Sequence, residues 1–373
     1  MKYDQKIGLV TFQNAYNHGA VLQMFSLYSL LKEQGYNVKV INYKNEYFIE
    51  YYIHRYSIIC SAGLKSKIRI AFNFVLNPWS YIGPNARRKK MARFIEQNIE
   101  MSAWINKNEL PSLNKEYDTF IVGSDQVWNM GLSNFDKTYF LDFVEEQKKV
   151  IAYAASIGKE YITGFEFDGL GENIGKYNSV SVRERKAKEI LKEYLSVESD
   201  VVLDPTLLHD RVFWSKIAEQ SKRIPKKDYV LLYMIQESTN LISFAERIAR
   251  EENLEIVTIF GAKIKSKHTT MRDASIEDFL GLIKNAKYTF VTSFHGLVFS
   301  LIFNTPFYYE LAKKIPNNNS RLMDLCSMLH VEGREIIDEN SMFEPINWDE
   351  VNSLLANERS KSILWLEKAL EDH

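Results

Sequence analysis

The segment QNAYNHG, residues 13–19, is one of two in the first half of the chain that could contact a ligand through polar groups. It follows an apolar strand pattern and leads into an apolar helical pattern. The N–H groups at the start of a helix favour an anion, and Gly19 permits a close approach of the backbone. The alternative is a plain turn in which Asn17 caps the helix. On spacing alone, His18 proves little.

The segment GSDQVWN, residues 123–129, is the second, and it directly follows the apolar strand pattern TFIV. A carboxylate, a hydroxyl and two amides lie within seven residues, which suits hydrogen bonding to sugar hydroxyls. Trp128 is predicted to be a stacking surface for a sugar ring, and Asp125 a base. A capped turn without a ligand is the alternative.

A cation and a histidine end two further strand patterns. Arg183, within SVRE at 181–184, has a planar fork that suits a phosphate or a carboxylate; the alternative is a solvated charge network with its neighbours. His295, within TSFHG at 292–296, begins an apolar helix beside Ser293. A histidine there can contact an oxyanion and move a proton near neutral pH. Most isolated histidines are structural, but the strand-to-helix junction favours a functional role.

Alternating strand and helix patterns must position these segments. Strand patterns occur at residues 6–12, 38–42, 119–122, 150–155, 179–182, 201–203, 229–235, 255–260 and 288–292. Helical patterns occur at residues 20–34, 183–194, 238–252, 276–286 and 349–370. Such alternation predicts parallel sheets, in which ligands bind at the carboxyl ends of the strands.

The length of 373 residues fits two doubly wound α/β domains. We predict an N-terminal, acceptor-binding domain at 1–214 and a C-terminal domain at 215–373 that carries SFHG, with residues 215–228 as the linker. The terminal helix is expected to cross back. Residues 47–90 are predicted to form an irregular insert rich in aromatic and basic side chains, which either touches a lipid surface or forms a solvated subdomain.

Composition excludes several classes of protein. With 47 basic and 48 acidic residues, the net charge of −1 argues against nucleic-acid binding through phosphates. Cys60 and Cys326 form no CxxC pattern, so neither a disulfide framework nor a zinc site is expected, and a reducing cytosol fits. No metal-ligand cluster stands out. The N-terminus does not resemble a signal peptide, and no apolar run has the roughly 18 residues of a membrane-spanning helix.

Six segments in order along the chain resemble the polysaccharide pyruvyl transferase family. They are KIGLVTFQNAYNHGAVLQ from residue 6, YDTFIVGSDQVWN at 117–129, AYAASIGK at 152–159, SVRE at 181–184, VVLDPTLL at 201–208 and TSFHGLVFSLIFNTPF at 292–307. The resemblance implies two Rossmann-like domains facing across a cleft, as in GT-B glycosyltransferases. It also implies transfer of the pyruvyl group of phosphoenolpyruvate onto two hydroxyls of a sugar, forming a cyclic ketal.

The resemblance also assigns residues. It places phosphoenolpyruvate at His295 and Arg183. Many family members carry a basic residue immediately before the histidine, where this chain has Phe294; Arg321 or Lys313 would replace that charge. The predicted catalytic residues are His295, Arg183 and Asp125. The predicted donor-binding residues are Ser293, Gly296 and Arg321. The predicted acceptor-binding residues are Asn17, His18, Gly19, Ser124, Gln126, Trp128 and Asn129.

In the expected reaction, His295 protonates the enol carbon or the departing phosphate, Arg183 holds the anion, and Asp125 deprotonates the sugar. The expected partners are phosphoenolpyruvate and a glycan or lipid-linked oligosaccharide of capsule or exopolysaccharide synthesis. We expect no cofactor, no metal and no nucleic acid. The expected location is the cytoplasm, at the inner face of the membrane, with peripheral contact. The alternatives are a GT-B nucleotide-sugar glycosyltransferase and a noncatalytic glycan-binding protein of polysaccharide assembly.

Overall fold

A computed structural model describes residues 5–43, 45, 79–162, 171–260, 264–311, 319–337 and 343–371. The chain divides into two compact units, and each unit is discontinuous in sequence. The first unit comprises Met1–Ile68, Ile95–Leu208 and Asn357–His373. The second comprises Arg69–Phe94 and His209–Ala356.

Six parallel strands form the sheet of the first unit, in the order β2-β1-β3-β4-β5-β6. The strands are β1 (Lys6–Val10), β2 (Asn37–Val40), β3 (Thr119–Val122), β4 (Lys149–Ala155), β5 (Ser179–Val182) and β6 (Asp200–Val201). The central strand β3 is buried along its whole length. Apolar runs of this kind are typical of strands that are covered on both faces.

Helix α1 (His18–Glu33) is the first of the described helices that lie wholly or partly in the first unit. The others are α2 (Trp79–Asn98), α3 (Met130–Ser133), α4 (Arg185–Leu195) and α10 (Trp348–Glu371). Helix α1 follows β1 after a short loop, and Gly35 with a φ of 86° ends it as predicted. Helices α2 and α10 each contain a boundary between the two units.

The second unit contains five parallel strands in the order β11-β10-β7-β8-β9. They are β7 (Tyr229–Tyr233), β8 (Glu255–Thr258), β9 (Thr269–Thr270), β10 (Tyr288–Val291) and β11 (Phe307–Tyr309). The remaining helices are α5 (Arg211–Ala218), α6 (Thr239–Glu251), α7 (Ile276–Lys284), α8 (Phe294–Phe303) and α9 (Ser320–Met328).

Each sheet has one point where the strand order reverses. In the first unit it lies between β1 and β3, and in the second between β7 and β10. Loops diverge at such a point and leave a crevice at the carboxyl ends of the strands, which is where doubly wound sheets bind ligands. The predicted class of two doubly wound, Rossmann-like α/β domains is therefore confirmed.

Two regions differ from the sequence-based prediction. Most of the predicted irregular insert lies outside the described residues, but its end from Trp79 onward is helical, and α2 continues through Pro84. The helix α5 runs through the predicted boundary at 214/215. Its Trp214 is fully buried against Phe299 of the second unit at 5.0 Å between ring centroids. The unit boundary thus precedes α5.

Candidate functional site

The two loops beside the reversal point of the first sheet are joined by Gln23. This side chain lies on α1 and is fully buried. Its Nε2 donates to Thr11 Oγ1 at 3.0 Å, and its Oε1 accepts from the backbone N–H of Ser124 at 3.1 Å. Thr11 Oγ1 also donates to the Ser124 carbonyl at 3.3 Å. Helix α1 therefore holds the end of β1 and the start of the GSDQVWN loop in one arrangement.

The backbone of the GSDQVWN loop turns sharply after β3. Gly123 has a φ of 120°, and a Cβ there would lie 2.1 Å from the Tyr153 carbonyl oxygen, so only glycine fits. Asp125 also has a positive φ, 69°, which costs a non-glycine residue about 1–2 kcal/mol. Residues held in such conformations cluster at functional sites. In this loop only Asp125 and Gln126 are partly exposed, so these are the two side chains that reach the surface.

Arg183, which follows β5, lies in a buried cluster of charges. Its Nη1 donates to Asp204 Oδ2 at 2.6 Å, and its Nη2 lies 3.7 Å from Asp125 Oδ1. Burial by itself would lower the pKa of the guanidinium, but the nearby carboxylates of Asp204, Asp125 and Glu184 outweigh it and raise the pKa. Arg183 therefore stays charged.

This arrangement argues against the two sequence-based interpretations of Arg183. The residue is only 5% exposed, so the charge network is not solvated. Two carboxylates already compensate its charge, and they would repel a multiply charged anion that approached it. Arg183 is instead paired with Asp204 and lies within ion-pair distance of Asp125.

Glu184 has a role that the sequence pattern does not reveal. Its carboxylate is fully buried, and Oε1 accepts from Ser156 Oγ at 2.9 Å and from the N–H groups of Ile157 and Gly158, both at 3.0 Å. Gly158 in turn packs on Gln126, because a Cβ there would lie 2.0 Å from Gln126 Oε1. One carboxylate thus fixes the loop after β4 against the GSDQVWN loop.

Several predicted acceptor-binding residues are structural instead. Trp128 is 1% exposed and stacks on Phe140 at 6.4 Å between ring centroids, so the predicted sugar-stacking role is wrong. Burial of its large apolar surface stabilises the folded protein. Asn17 is exposed, and its side chain caps α1 by accepting from the Ala20 N–H at 2.8 Å, so acceptor binding by this residue stays a prediction. The buried positions also include Ser124, whose Oγ donates to a carbonyl of β4, as well as His18, Gly19 and Asn129.

A second polar cluster, also missed from sequence, stands after β2. Asp136 accepts from the Tyr43 hydroxyl at 2.6 Å, from Asn45 Nδ2 at 2.9 Å and from Lys107 Nζ at 3.2 Å. Burial, followed by the contact with Asp136, raises the pKa of Tyr43. The Tyr43 carbonyl accepts from the side chain of Gln13 at 2.5 Å. This cluster therefore holds the loop after β1 in place.

In the second unit, the SFHG segment lies beside the reversal point between β7 and β10. Ser293 caps α8 and accepts from the Gly296 N–H at 3.5 Å. A Cβ on Gly296 would lie 2.8 Å from Tyr233 Cδ1, so this glycine lets α8 start against the ring. The adjacent His295 is 9% exposed in the first turn of α8, where the helix dipole favours an anion.

Arg321 packs on Phe294, the residue that stands where many family members carry a basic side chain. It lies in the first turn of α9, is 7% exposed, and places Cζ 5.7 Å from the ring centroid of Phe294. The edge of Phe294 meets His295 at 5.2 Å between centroids. Arg321 and His295 therefore both contact the ring of Phe294. Lys313, the other candidate cation, lies outside the described residues.

A family model for polysaccharide pyruvyl transferases matches residues 17–309, most of the chain. The chain belongs to the polysaccharide pyruvyl transferase family. It is thus a transferase of a family that acts in polysaccharide pyruvylation, and a glycan acceptor is consistent with that family. No curated protein matches the chain significantly.

Solved structures that resemble this pyruvyl transferase family member include two UDP-GlcNAc 2-epimerases. The enzyme from Neisseria meningitidis, bound to UDP-GlcNAc, is 9% identical with a TM-score of 0.51, covering 99% of this chain and 100% of its own. The enzyme from Methanocaldococcus jannaschii is 11% identical with a TM-score of 0.50, covering 94% and 92% respectively. At these identities the likeness shows the fold alone.

Neither a membrane-spanning helix nor a metal-binding group of side chains occurs among the described residues of this family member. None of its described helices is both long and apolar enough to cross a bilayer. Within the same residues, no group of three or more His, Cys, Asp or Glu side chains is arranged so that it could hold a metal ion. What the described residues do present is one site segment in each unit, with a carboxylate in the first and a histidine and arginine in the second.

Proposed function

We propose that this family member transfers the pyruvyl group of phosphoenolpyruvate onto two hydroxyls of a sugar and releases phosphate. The observation that carries the proposal is the grouping of His295 and Arg321 around Phe294, at the carboxyl edge of the second sheet. A proton-transfer group, a cation and a helix N-terminus lie together there. Those groups are what an anionic enol donor requires.

The donor chemistry can be written for these groups. The first sugar hydroxyl adds to the enol carbon, and the methylene carbon takes up a proton. Phosphate then leaves, and the second hydroxyl captures the resulting oxocarbenium centre and loses its proton. Of the two hydroxyl protons, one balances the new methyl group and the other the released phosphate. His295 is the proposed acid for the methylene carbon or for the phosphate, and Arg321 holds negative charge on the donor.

The proposed base is Asp125 in the first unit. Its left-handed backbone and its contact with Arg183 orient the carboxylate, while its side chain stays partly exposed. Gln126 beside it would donate to other sugar hydroxyls. Arg183 acts through Asp125 and is a positioning residue in this scheme. No cofactor takes part, and phosphoenolpyruvate is the donor substrate.

The proposed acceptor is a glycan or lipid-linked oligosaccharide of capsule or exopolysaccharide synthesis. A lipid-linked acceptor would place the reaction in the cytoplasm at the inner face of the membrane. A nucleotide-sugar donor is less well supported, because the buried Glu310 after β11 hydrogen-bonds with Ser238, the cap of α6. That carboxylate has a structural partner where a ribose-binding acid would be needed.

The direct test incubates the protein with phosphoenolpyruvate and a panel of free and lipid-linked galactosides, mannosides and hexosamines. Phosphate release and the mass of one added pyruvyl ketal are followed together. We expect His295→Ala to abolish both while the protein stays folded, and His330→Ala, an exposed histidine of the same unit, to leave both unchanged. Full turnover by His295→Ala would remove the proposed acid. Transfer from nucleotide sugars alone would refute pyruvyl transfer.

A further inference from the structure

Arg87, on α2, brings an additional cation to the carboxyl edge of the second sheet. Its Cζ lies 4.7 Å from the ring centroid of Phe260, which follows β8. Its Nη1 donates to the carbonyl of Arg272, which follows β9, at 3.3 Å. Helix α2 belongs to the second unit up to Phe94, although it precedes β3 in the sequence. No motif of the second unit predicts this contact.

Tyr233 connects Arg87 to the SFHG segment. This tyrosine ends β7, and its ring lies 5.1 Å from that of Phe260 between centroids. Burial raises the pKa of Tyr233, against the charge of Arg87 and a hydrogen bond with Ser293, which both lower it. The ring also packs on Gly296, next to His295. Arg87, Tyr233 and Ser293 therefore form one continuous patch beside the reversal point.

The charge of Arg87 is not compensated by the protein part that the structure describes. Within those residues no carboxylate lies within ion-pair distance of its guanidinium, and Phe260 and a carbonyl are its contacts. Lys90, one turn later, pairs with Asp273 at 2.7 Å, and Arg223 pairs with Asp278 at 3.0 Å. Among the described residues, Lys90 and Arg223 are thus matched to acids, whereas Arg87 and the adjacent Arg272, whose Nη1 donates to the Phe260 carbonyl at 3.3 Å, are not.

A half-buried arginine without a counter-charge is costly. Burial removes water from the Arg87 guanidinium and thereby lowers its pKa, because the charged form loses hydration energy. Buried charges in proteins are paired or bind a ligand of opposite charge. An anion at this edge would complete the pairing, and the planar guanidinium favours a carboxylate or a phosphate.

We infer that Arg87 is a donor-binding residue that contacts the carboxylate or the phosphate of the donor. This inference rests on the proposed function, since it assigns a second cation to the same donor. Phosphoenolpyruvate carries two anionic groups, and Arg87 and Arg321 supply two cations to the one edge where Ser293 caps α8. The Phe294 position therefore needs no basic residue in this chain.

The test compares Arg87→Met with Lys89→Met, an exposed neighbour on the same helix. We expect Arg87→Met to raise the KM for phosphoenolpyruvate at least tenfold with a smaller change in kcat. Arg87→Lys, which keeps the charge but loses the fork, should raise KM several-fold, and Lys89→Met should leave it within twofold. If Arg87→Met does not fold, Arg87→Gln replaces it in the same comparison.

Thermal unfolding with inorganic phosphate separates failure of the inference from failure of the proposed function. Phosphate should stabilise the unmodified protein and Lys89→Met equally, and should stabilise Arg87→Met much less. If the protein uses phosphoenolpyruvate but the KM of Arg87→Met is unchanged, the inference is wrong and the proposed function stands. If phosphoenolpyruvate is not a substrate, the proposed function is wrong, and the anion site at Arg87 is then tested by phosphate alone. Stabilisation that is absent, or equal in the unmodified protein and Arg87→Met, overturns the anion site. Stabilisation that is lost only in Arg87→Met supports it.

Discussion

Replacing Asp204 by Asn is expected to destabilise the first unit strongly. Asp204 Oδ2 lies 2.6 Å from Arg183 Nη1, and both side chains are almost fully buried. Asp204 Oδ1 also accepts from the N–H of Thr206 at 3.0 Å and from its hydroxyl at 2.6 Å. An asparagine keeps the shape but removes the charge, and its amide cannot both accept from Thr206 and accept from Arg183 on the other side.

The magnitude follows from the burial of the pair. Removing one partner of a buried ion pair typically costs about 3–5 kcal/mol, because the other charge stays buried without compensation. Asp125 lies 3.7 Å from Nη2 and compensates only part of the charge, so we expect about 3 kcal/mol. Arg183→Met combined with Asp204→Asn should be less destabilising than the sum, with a coupling energy of about 2 kcal/mol.

The measurement is urea unfolding of the single and double variants. Hydrogen exchange, read by mass spectrometry on peptides that contain β3 and β5, reports the first unit separately, since a chain of two units need not unfold in one transition. Glu100→Gln is the control, because its ion pair with Lys32 in the same unit is exposed and should be worth less than about 1 kcal/mol. A loss below about 1 kcal/mol for Asp204→Asn, or additive effects in the double variant, would refute the reasoning.

Two further predictions test the roles assigned in the first unit. Arg183→Lys should lower kcat more than it raises the KM for phosphoenolpyruvate, because a single ammonium group cannot contact Asp204 and Asp125 together and the proposed base is then misplaced. Steady-state kinetics that show only a raised KM would instead support Arg183 as an anion-binding residue. Trp128→Ala should lower the free energy of unfolding by about 3–5 kcal/mol, measured by thermal and urea unfolding. A fully stable Trp128→Ala that binds acceptor weakly would contradict the core assignment.

The elements of the fold follow from local patterns. Apolar runs of four to seven residues predict the central strands, and helical periodicity with a following Gly35 predicts α1 and its end. The short strands β9 and β11 and the helix α2 escape such patterns. Short elements carry too few residues for a period, and α2 mixes polar, basic and Pro84 positions along its length.

The candidate site was only partly predictable. The GSDQVWN and SFHG segments are visible in sequence because each joins a strand end to polar groups, and the carboxyl ends of parallel strands are where ligands bind. The same pattern could not distinguish exposed from buried members. Asp125 and Gln126 face outward, whereas Trp128 fills the core, since a seven-residue loop offers both orientations and only packing selects between them.

By itself, the sequence determined the α/β class, the two sheets, the helix caps and the family, because these depend on residues close along the chain or on ordered motifs. The tertiary structure alone decided which charges meet. Arg183 finds Asp204 across 21 residues, and Arg87 reaches the carbonyl of Arg272 across 185. Such pairings depend on strand order and burial, which set the local dielectric and hence whether a cation is neutralised by the protein or left for a ligand.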